Sequence, residues 1–261
     1  MTHFDLLEED WGEAPELAAL ASADSTPPSR ATATRVFEIA ALRPDGSMFI
    51  GQLQAPAIAL FDSAFSAFGR GTAIATPDGD VAVEDLQPGD RISTFDGEER
   101  TLVWIGSSNF IPADTGQRVP HIRIMPGAFG KNSPAAPLTV GPGARLLHTP
   151  EHLRGEEGDL RCLAPLDRFV DGDAVIQVAP PTPVRLFHLC LDRHALLCVH
   201  GLPMESFHPG TTGLSGVEDG LSRTFLSMFP MASAAQDFGP LRFPRLAPVD
   251  LAARYAARLT A

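Results

Sequence analysis

Residues 71–92 of the chain read GTAIATPDGDVAVEDLQPGDRI. This stretch predicts a β-hairpin, in which strands at Ala73–Thr76 and Val81–Glu84 flank a turn at Pro77–Asp80. Proline and glycine in a short connection favour a tight turn, and short runs between such turns are typical of strands. The stretch therefore indicates a β-rich domain.

Similar patterns lie on both sides of this hairpin. An upstream hairpin is predicted from Val36–Leu42 and Ser47–Leu53, and a downstream one from Arg91–Thr94 and Arg100–Ile105. Further short strands, separated by proline and glycine, are expected at His121–Ile124, Leu138–Val140, Arg145–His148, Ala174–Val178, Val184–Leu191 and Leu196–His200. Many short strands with turn signals between them predict an all-β fold.

The chain divides into four predicted parts. They are an acidic tail and linker at 1–34, a β-hairpin segment at 35–66, the main β domain at 67–210 and a partly helical C-terminal extension at 211–261. Within the extension, Val217–Met228 and Leu251–Leu259 are predicted to be helical, because apolar residues recur on one side of each segment.

The composition narrows the classes of function. The chain has 261 residues, with 20 Lys and Arg against 32 Asp and Glu, which gives a formal net charge of −12. An acidic chain without a basic run is a poor match for nucleic acid or an anionic membrane, so a protein partner is the open possibility. No apolar run reaches the roughly 18 residues of a membrane span, and the N-terminus lacks the features of a secretory signal. A cytoplasmic location is the default expectation, with leaderless export left open.

The order of motifs from residue 71 onwards resembles the opening of the Hint domain, the fold that hedgehog autoprocessing domains and inteins share. In that family a Gly-Thr strand leads to a V-x-x-L-x-x-G-D-x-V/I pattern, and the same spacing is found in Val83, Leu86, Gly89, Asp90 and Ile92. Later stretches that resemble the bacterial Hint type are Ile122–Ile124, Ala128–Gly130, Leu138–Pro142 and Phe187–Phe207. The resemblance implies a Hint-like fold of short twisted hairpins.

The resemblance also implies a reaction for which this chain lacks the residues. Family members perform an N-to-S or N-to-O acyl shift, in which a Cys or Ser at the first position of the domain attacks the preceding carbonyl group. A His then protonates the departing amide nitrogen. The matching positions are Ala67 and Ala144, whose methyl groups can do neither. The resemblance therefore implies a degenerate member that acts as a structural or binding module, and it disfavours an enzymatic activity.

Other residues keep a self-cleaving alternative open. Ser66, next to the first position of the domain, could replace the missing nucleophile, and Thr72, His188, Asp192 and His194 are the remaining candidates from the family motifs. A shift by one residue turns a strand side chain to the opposite face, which counts against Ser66. Protein splicing is disfavoured, because it needs a terminal Asn preceded by His, and neither Asn of the chain meets this condition.

A second alternative is a metal or thiol site within His188–His200, which also contains Cys190, His194 and Cys198. Histidine and cysteine serve both as zinc ligands and in nucleophilic catalysis. However, the polar residues Asp192–His194 between two apolar runs predict a buried hairpin in which the cysteines are packing residues. We therefore expect no bound metal and no cofactor.

Overall fold

Short antiparallel strands dominate the residues that the computed structural model describes, which are 33–111, 120–149, 161–210 and 214–246. The strands in chain order are β1 Thr34–Leu42, β2 Met48–Pro56, β3 Phe68–Gly69, β4 Ala73–Thr76, β5 Gly79–Ala82, β6 Arg91–Ser93, β7 Glu99–Phe110, β8 His121–Ile124, β9 Leu138–Val140, β10 Arg145–His148, β11 Cys162–Pro165, β12 Val175–Val178, β13 Val184–Leu191, β14 Leu196–Val199 and β15 Leu202–Glu205. The helices in this part of the chain are α1 Ala59–Ala64 and α2 Asp219–Ser227, with 3-10 turns at Val83–Asp85, Leu166–Phe169 and Ala235–Phe238. The predicted all-β class with a small helical C-terminal extension is confirmed, while the predicted helix Leu251–Leu259 and nearly all of the tail lie outside the described residues.

The strands form two antiparallel sheets. The larger sheet has nine strands in the order β12-β8-β9-β3-β13-β7-β1-β2, with β6 paired to a further stretch of β7. The smaller sheet has six strands in the order β11-β10-β15-β14-β4-β5. The longest strand, β7, has 12 residues and pairs with β1, β6 and β13. It therefore joins the first hairpin of the chain to the rest of the larger sheet.

The turn at Asp192–His194 differs from the predicted hairpin. β13 has the predicted bounds, but it pairs with β3 and β7, whereas β14 pairs with β4 and β15 in the other sheet. The turn is a crossing between the two sheets, and its Asp192 and Arg193 are exposed. The prediction of a hairpin was wrong because a hairpin and a crossing need the same polar turn residues.

Three strands and one helix have no counterpart among the sequence predictions. β3 has only two residues, and both β11 and β15 contain a proline, which weakens a strand signal. The helix α1 has six residues and no side-chain cap, so its sequence carries no start signal. The three strands form because neighbouring segments supply their hydrogen-bonding partners, whereas α1 buries Phe61 and Ala64 against the fold.

The first hairpin belongs to the larger sheet. β1 pairs with β2 from Thr34↔Pro56 to Leu42↔Met48, and on its other side it pairs with β7 from Phe37↔Ser108 to Ala41↔Trp104. Residues 34–56 therefore lie in the same sheet as β3, β7 and β13.

The C-terminal extension packs on the face of this sheet that carries Trp104. The indole ring is fully buried and stacks on Phe229, with 4.6 Å between the ring centroids. Its Nε1–H donates a hydrogen bond to the carbonyl oxygen of Met228 at 2.7 Å. α2 lies within the predicted helix Val217–Met228, and Phe225 and Met228 are buried in the same aromatic cluster.

A later part of the extension covers the edge of the smaller sheet. Leu163 of β11 donates its backbone N–H to the carbonyl oxygen of Pro244 at 2.8 Å, and Leu246 donates its N–H to the carbonyl of Leu163 at 2.9 Å. Phe243 packs against Leu147, Leu163 and Leu196. The extension thus closes an edge that would otherwise present unpaired backbone groups.

Candidate functional site

The candidate site is the peptide junction between residues 66 and 67. Helix α1 ends at Ala64, and the chain then enters β3 at Phe68. Ala67 donates its N–H to the carbonyl oxygen of Phe187 at 3.0 Å and accepts a hydrogen bond from the N–H of Gly141 at 3.0 Å. The junction is therefore held on one side by β13 and on the other by the loop after β9.

That loop makes a close approach to the junction. The N–H of Gly143 donates to the carbonyl oxygen of Ser66 at 3.0 Å, with the Ser66 Oγ atom at 3.2 Å from the same nitrogen. A Cβ atom on Gly141 would lie 2.4 Å from the Ser66 carbonyl oxygen, and one on Gly143 would lie 2.2 Å from the carbonyl oxygen of Ser63. Glycine at both positions lets the two backbones meet, and the carbonyl group that a nucleophile at residue 67 would attack is polarised by an N–H donor.

Two alanines occupy the positions at which the sequence predicts the family's nucleophile and histidine. Ala67 is fully buried, and Ala144 is 2% exposed. Both side chains pack in the main hydrophobic core, which contains Phe68, Val140 and Leu146. A methyl group can neither attack a carbonyl group nor donate a proton.

His188 follows Phe187 on β13 and lies beside the junction. Its ring is 2% exposed and is bordered edge-on by the rings of Phe68 and Phe207. Its Nδ1 atom is 3.4 Å from the carbonyl oxygen of Ser63, and its Nε2 atom has no hydrogen-bond partner among the described residues. Burial lowers the pKa of His188 to about 4, so the ring is neutral near pH 7 and cannot serve as a charged proton donor there.

His194 has a different setting, in a buried ionic cluster. Its Nδ1 atom accepts the backbone N–H of Arg242 at 3.0 Å, so its Nε2–H donates to the carboxylate of Glu205 at 2.9 Å. Arg245 contacts the same carboxylate at 2.7 Å and Arg145 at 3.5 Å. Burial by itself raises the pKa of Glu205, but the hydrogen bond from His194 and the two guanidinium groups outweigh it and lower that pKa to about 2. His194 therefore fastens the C-terminal extension to the domain.

The remaining candidates lie apart from the junction carbonyl. The hydroxyl of Thr72 donates to the carbonyl oxygen of Gly69 at 2.7 Å and stabilises the turn after β3. Asp192 is exposed in the turn between the two sheets, where its backbone N–H donates to Thr101 at 2.9 Å. Of the predicted residues, the structure brings together Ser66, Ala67, Ala144 and His188, and it separates Thr72, Asp192 and His194 from them.

The cysteines and histidines of 188–200 form no common site in the part of the chain that is described. Cys190 is buried on β13, where burial raises the pKa of its thiol to about 12 and keeps it protonated. Cys198 lies on β14 in the other sheet, and His194 is engaged by Glu205. Among the described residues, no group of three or more His, Cys, Asp or Glu side chains is placed to hold a metal ion.

Two features of the site have no counterpart in the sequence predictions. The close approach of Gly141 and Gly143 follows from their packing against Ser63 and Ser66, which are distant in sequence. The ionic cluster joins Glu205 to residues of the C-terminal extension about 40 positions away. A glycine pair in a loop and a Glu before a Ser-Phe pair carry no local signal for either contact.

A family model for the Hint domain matches residues 66–211, which is more than half of the chain. The chain belongs to the Hint domain family, and the predicted Hint-like fold is confirmed. No match was found among curated proteins. In the described residues no helix is long and apolar enough to cross a membrane.

Solved structures of intein-like proteins are similar to this chain. One is a bacterial intein-like domain from Clostridium thermocellum, with 13% identity, coverage of 55% of this chain and 99% of that one, and a TM-score of 0.36. A second is the MchDnaB-1 intein, with 13% identity, coverage of 54% and 100%, and a TM-score of 0.33. A third is the Msm DnaB1 intein splicing domain bound with zinc, with 16% identity, coverage of 54% and 100%, and a TM-score of 0.32.

Proposed function

We propose that this protein is a Hint domain that has lost the acyl shift and acts as a structural or binding module. The observation that carries the proposal is the methyl group of Ala67, buried at the position from which a nucleophile would attack Ser66. Ala144 supports it, because a second methyl group stands where a proton donor is needed. The partner that we propose is a protein, in keeping with the acidic charge of the chain.

The segment before the junction supports a structural role. Phe61 and Phe65 are fully buried and pack around Phe37 of β1, with 4.6 Å between the ring centroids of Phe37 and Phe65. Phe65 also contacts Trp104, with 5.2 Å between the centroids. Residues 34–65 thus share a core and a sheet with the rest of the chain, and cleavage at residue 66 would not release them. We propose that the segment 35–66, and residues 214–246 of the C-terminal extension 211–261, are integral supports of a central domain at 67–210.

The alternative is self-cleavage that uses the hydroxyl group of Ser66 as the nucleophile on the carbonyl group of Phe65. One observation favours it, namely that Ser66 lies at the junction with His188 nearby. Two observations weigh against it. The Oγ atom of Ser66 is fully buried and faces the N–H of Gly143, and the ring of His188 is neutral near pH 7. We therefore place this alternative second.

Intact mass spectrometry of the full chain under denaturing conditions separates the two functions. Denaturation is required because the fragments of a cleaved chain would stay associated through β1 and the aromatic core. We expect one species of 27.8 kDa, with and without a thiol such as dithiothreitol. The matched control is Ser66→Ala. Fragments that divide at residues 65–67 would overturn the proposal, and their loss in Ser66→Ala would establish the alternative.

A further inference from the structure

The edge of the larger sheet is formed by β2, whose outer side has no strand partner among the described residues. The hydrogen bonds at the two ends of the β1–β2 pair fix which residues face this edge. Arg43 donates its N–H to Ser47 at 2.9 Å, and Ala57 donates its N–H to Ala33 at 2.7 Å. Hydrogen-bonded pairs alternate along an antiparallel ladder, so the odd-numbered residues of β2 bond to β1. The even-numbered residues 48, 50, 52 and 54 direct their backbone groups outward.

This edge lacks the features with which proteins protect exposed strands. Residues 48–56 read MFIGQLQAP and contain no charged side chain, although the whole chain has a net charge of −12. The register with β1 is continuous from Met48 to Pro56, without a bulge, and the only proline is at the end. Long, flat and uncharged edges are the ones that pair with another strand. Ile50 is 80% exposed and Met48 is 44% exposed on the same strand, which adds an apolar contact surface.

We propose that β2 pairs with β2 of a second copy of this chain, antiparallel about a two-fold axis at Gly51. In this register Met48 faces Gln54 and Ile50 faces Gln52, and the four outward residues of each copy form about eight backbone hydrogen bonds. On the opposite face of the sheet, Phe49 lies across from Leu53 of the second copy. The central Gly51 pair is a close, non-hydrogen-bonded pair.

The absence of charge favours a second copy as the occupant of this edge, and a proline sets the register. In a two-fold pairing every charge in the strand would be repeated across the axis, so a strand without charges avoids a repulsion that a highly acidic chain would otherwise create. The position of Pro56 selects the register. A two-fold axis at Gln52 would place Pro56, which has no N–H, opposite Met48, whereas an axis at Gly51 leaves Pro56 outside the paired stretch.

Sedimentation equilibrium of the full-length protein over a range of concentrations tests the pairing. We expect a monomer–dimer equilibrium. We expect Ile50→Lys to weaken the dimer by roughly tenfold or more, because the apolar contact is lost and the two lysines would be diagonal neighbours, residues whose backbones lie about 7–8 Å apart. The side chain of Ile50 is 80% exposed, so the variant should keep the fold, which far-UV circular dichroism checks. The matched control is Met125→Lys, at an apolar residue that is 37% exposed outside the edge. A monomer at all concentrations, or a dimer that Ile50→Lys does not weaken, would overturn the proposal.

Cysteine cross-linking tests the register. We expect Gly51→Cys to form an intermolecular disulfide on mild oxidation, because directly opposed residues of a non-hydrogen-bonded pair have Cα atoms about 4.5 Å apart. The new Cβ atom meets only the tip of the Phe49 ring, which is half-buried and can rotate away. The control Gln54→Cys should not cross-link, because its two copies would be about 20 Å apart. Equal cross-linking of both variants, or of the wild type with its three cysteines, would contradict the register.

Discussion

The buried carboxylate of Glu205 gives the sharpest prediction for stability. Its pKa is about 2 in the folded chain, against an ordinary value of 4.5. This difference corresponds to roughly 3 kcal/mol of folding free energy at pH 7. An independent expectation agrees, because removal of one partner from a buried ion pair costs about 3–5 kcal/mol. We therefore expect Glu205→Gln to lower the free energy of unfolding by about 3 kcal/mol at neutral pH.

The pH dependence identifies the cause. The pKa of Glu205 is lower in the folded chain than in the unfolded chain, so its contribution is complete above about pH 4.5 and is lost as the pH falls towards 2. The difference in the free energy of unfolding between the wild type and Glu205→Gln should fall to roughly half by pH 3, as measured by urea unfolding at pH 7 and pH 3. The control is Glu99→Gln, since Glu99 is 52% exposed and pairs with an equally exposed Arg91, and its loss should stay below about 1 kcal/mol. A gap under about 1 kcal/mol at pH 7, or one that does not change down to pH 3, would refute the assignment.

Three further predictions concern the junction. The pKa of His188 is about 4 in the folded chain and 6.5 in the unfolded chain, so protonation favours the unfolded chain as the pH falls. In urea unfolding, the free energy of unfolding of the wild type should therefore fall by about 2 kcal/mol between pH 7.5 and pH 5, and that of His188→Leu should fall by less. Gly143→Ala should destabilise the chain by about 2 kcal/mol or more in thermal unfolding because its Cβ would meet a carbonyl oxygen at 2.2 Å, whereas Gly220→Ala in α2 should be neutral or slightly stabilising. If the acyl shift is missing only two side chains, Ala67→Cys with Ala144→His should show thiol-dependent cleavage after residue 66 by denaturing mass spectrometry, and neither single variant should.

The sequence predicted the hairpins whose turns carry proline and glycine, although β5 spans Gly79–Ala82 where a strand at Val81–Glu84 was expected, and Val83–Asp85 form a 3-10 turn. Strands β8, β9, β10 and β13 have the predicted bounds, because their residues and the turns around them act locally. The family motifs also place the candidate junction at residues 66 and 67, and this assignment stays a prediction. By contrast, β3 pairs with the distant β13, and β11 is bordered by Pro244 and Leu246 of the C-terminal extension, so no local pattern could indicate these contacts.

The different settings of the two histidines also could not be predicted from the sequence. His188 and His194 lie six residues apart and are equally plausible as site residues from their sequence. In the folded chain, the His188 ring lies in an apolar setting beside the junction, whereas the His194 ring is hydrogen-bonded to the carboxylate of Glu205. The difference arises because the chain crosses between two sheets after Leu191, and the C-terminal extension then supplies partners to His194 alone.

The amino-acid sequence by itself determined the family and the β-rich class, because the family motifs and the turn signals depend on residue identity and spacing. The tertiary structure determined where the segment before the junction lies. The segment before the junction is part of the larger sheet, since β1 fills a place beside β7 and the side chains of Phe61 and Phe65 are buried around Phe37 and Trp104. Contacts between residues far apart in sequence are set by packing and hydrogen-bond pairing, which act only once the chain has folded.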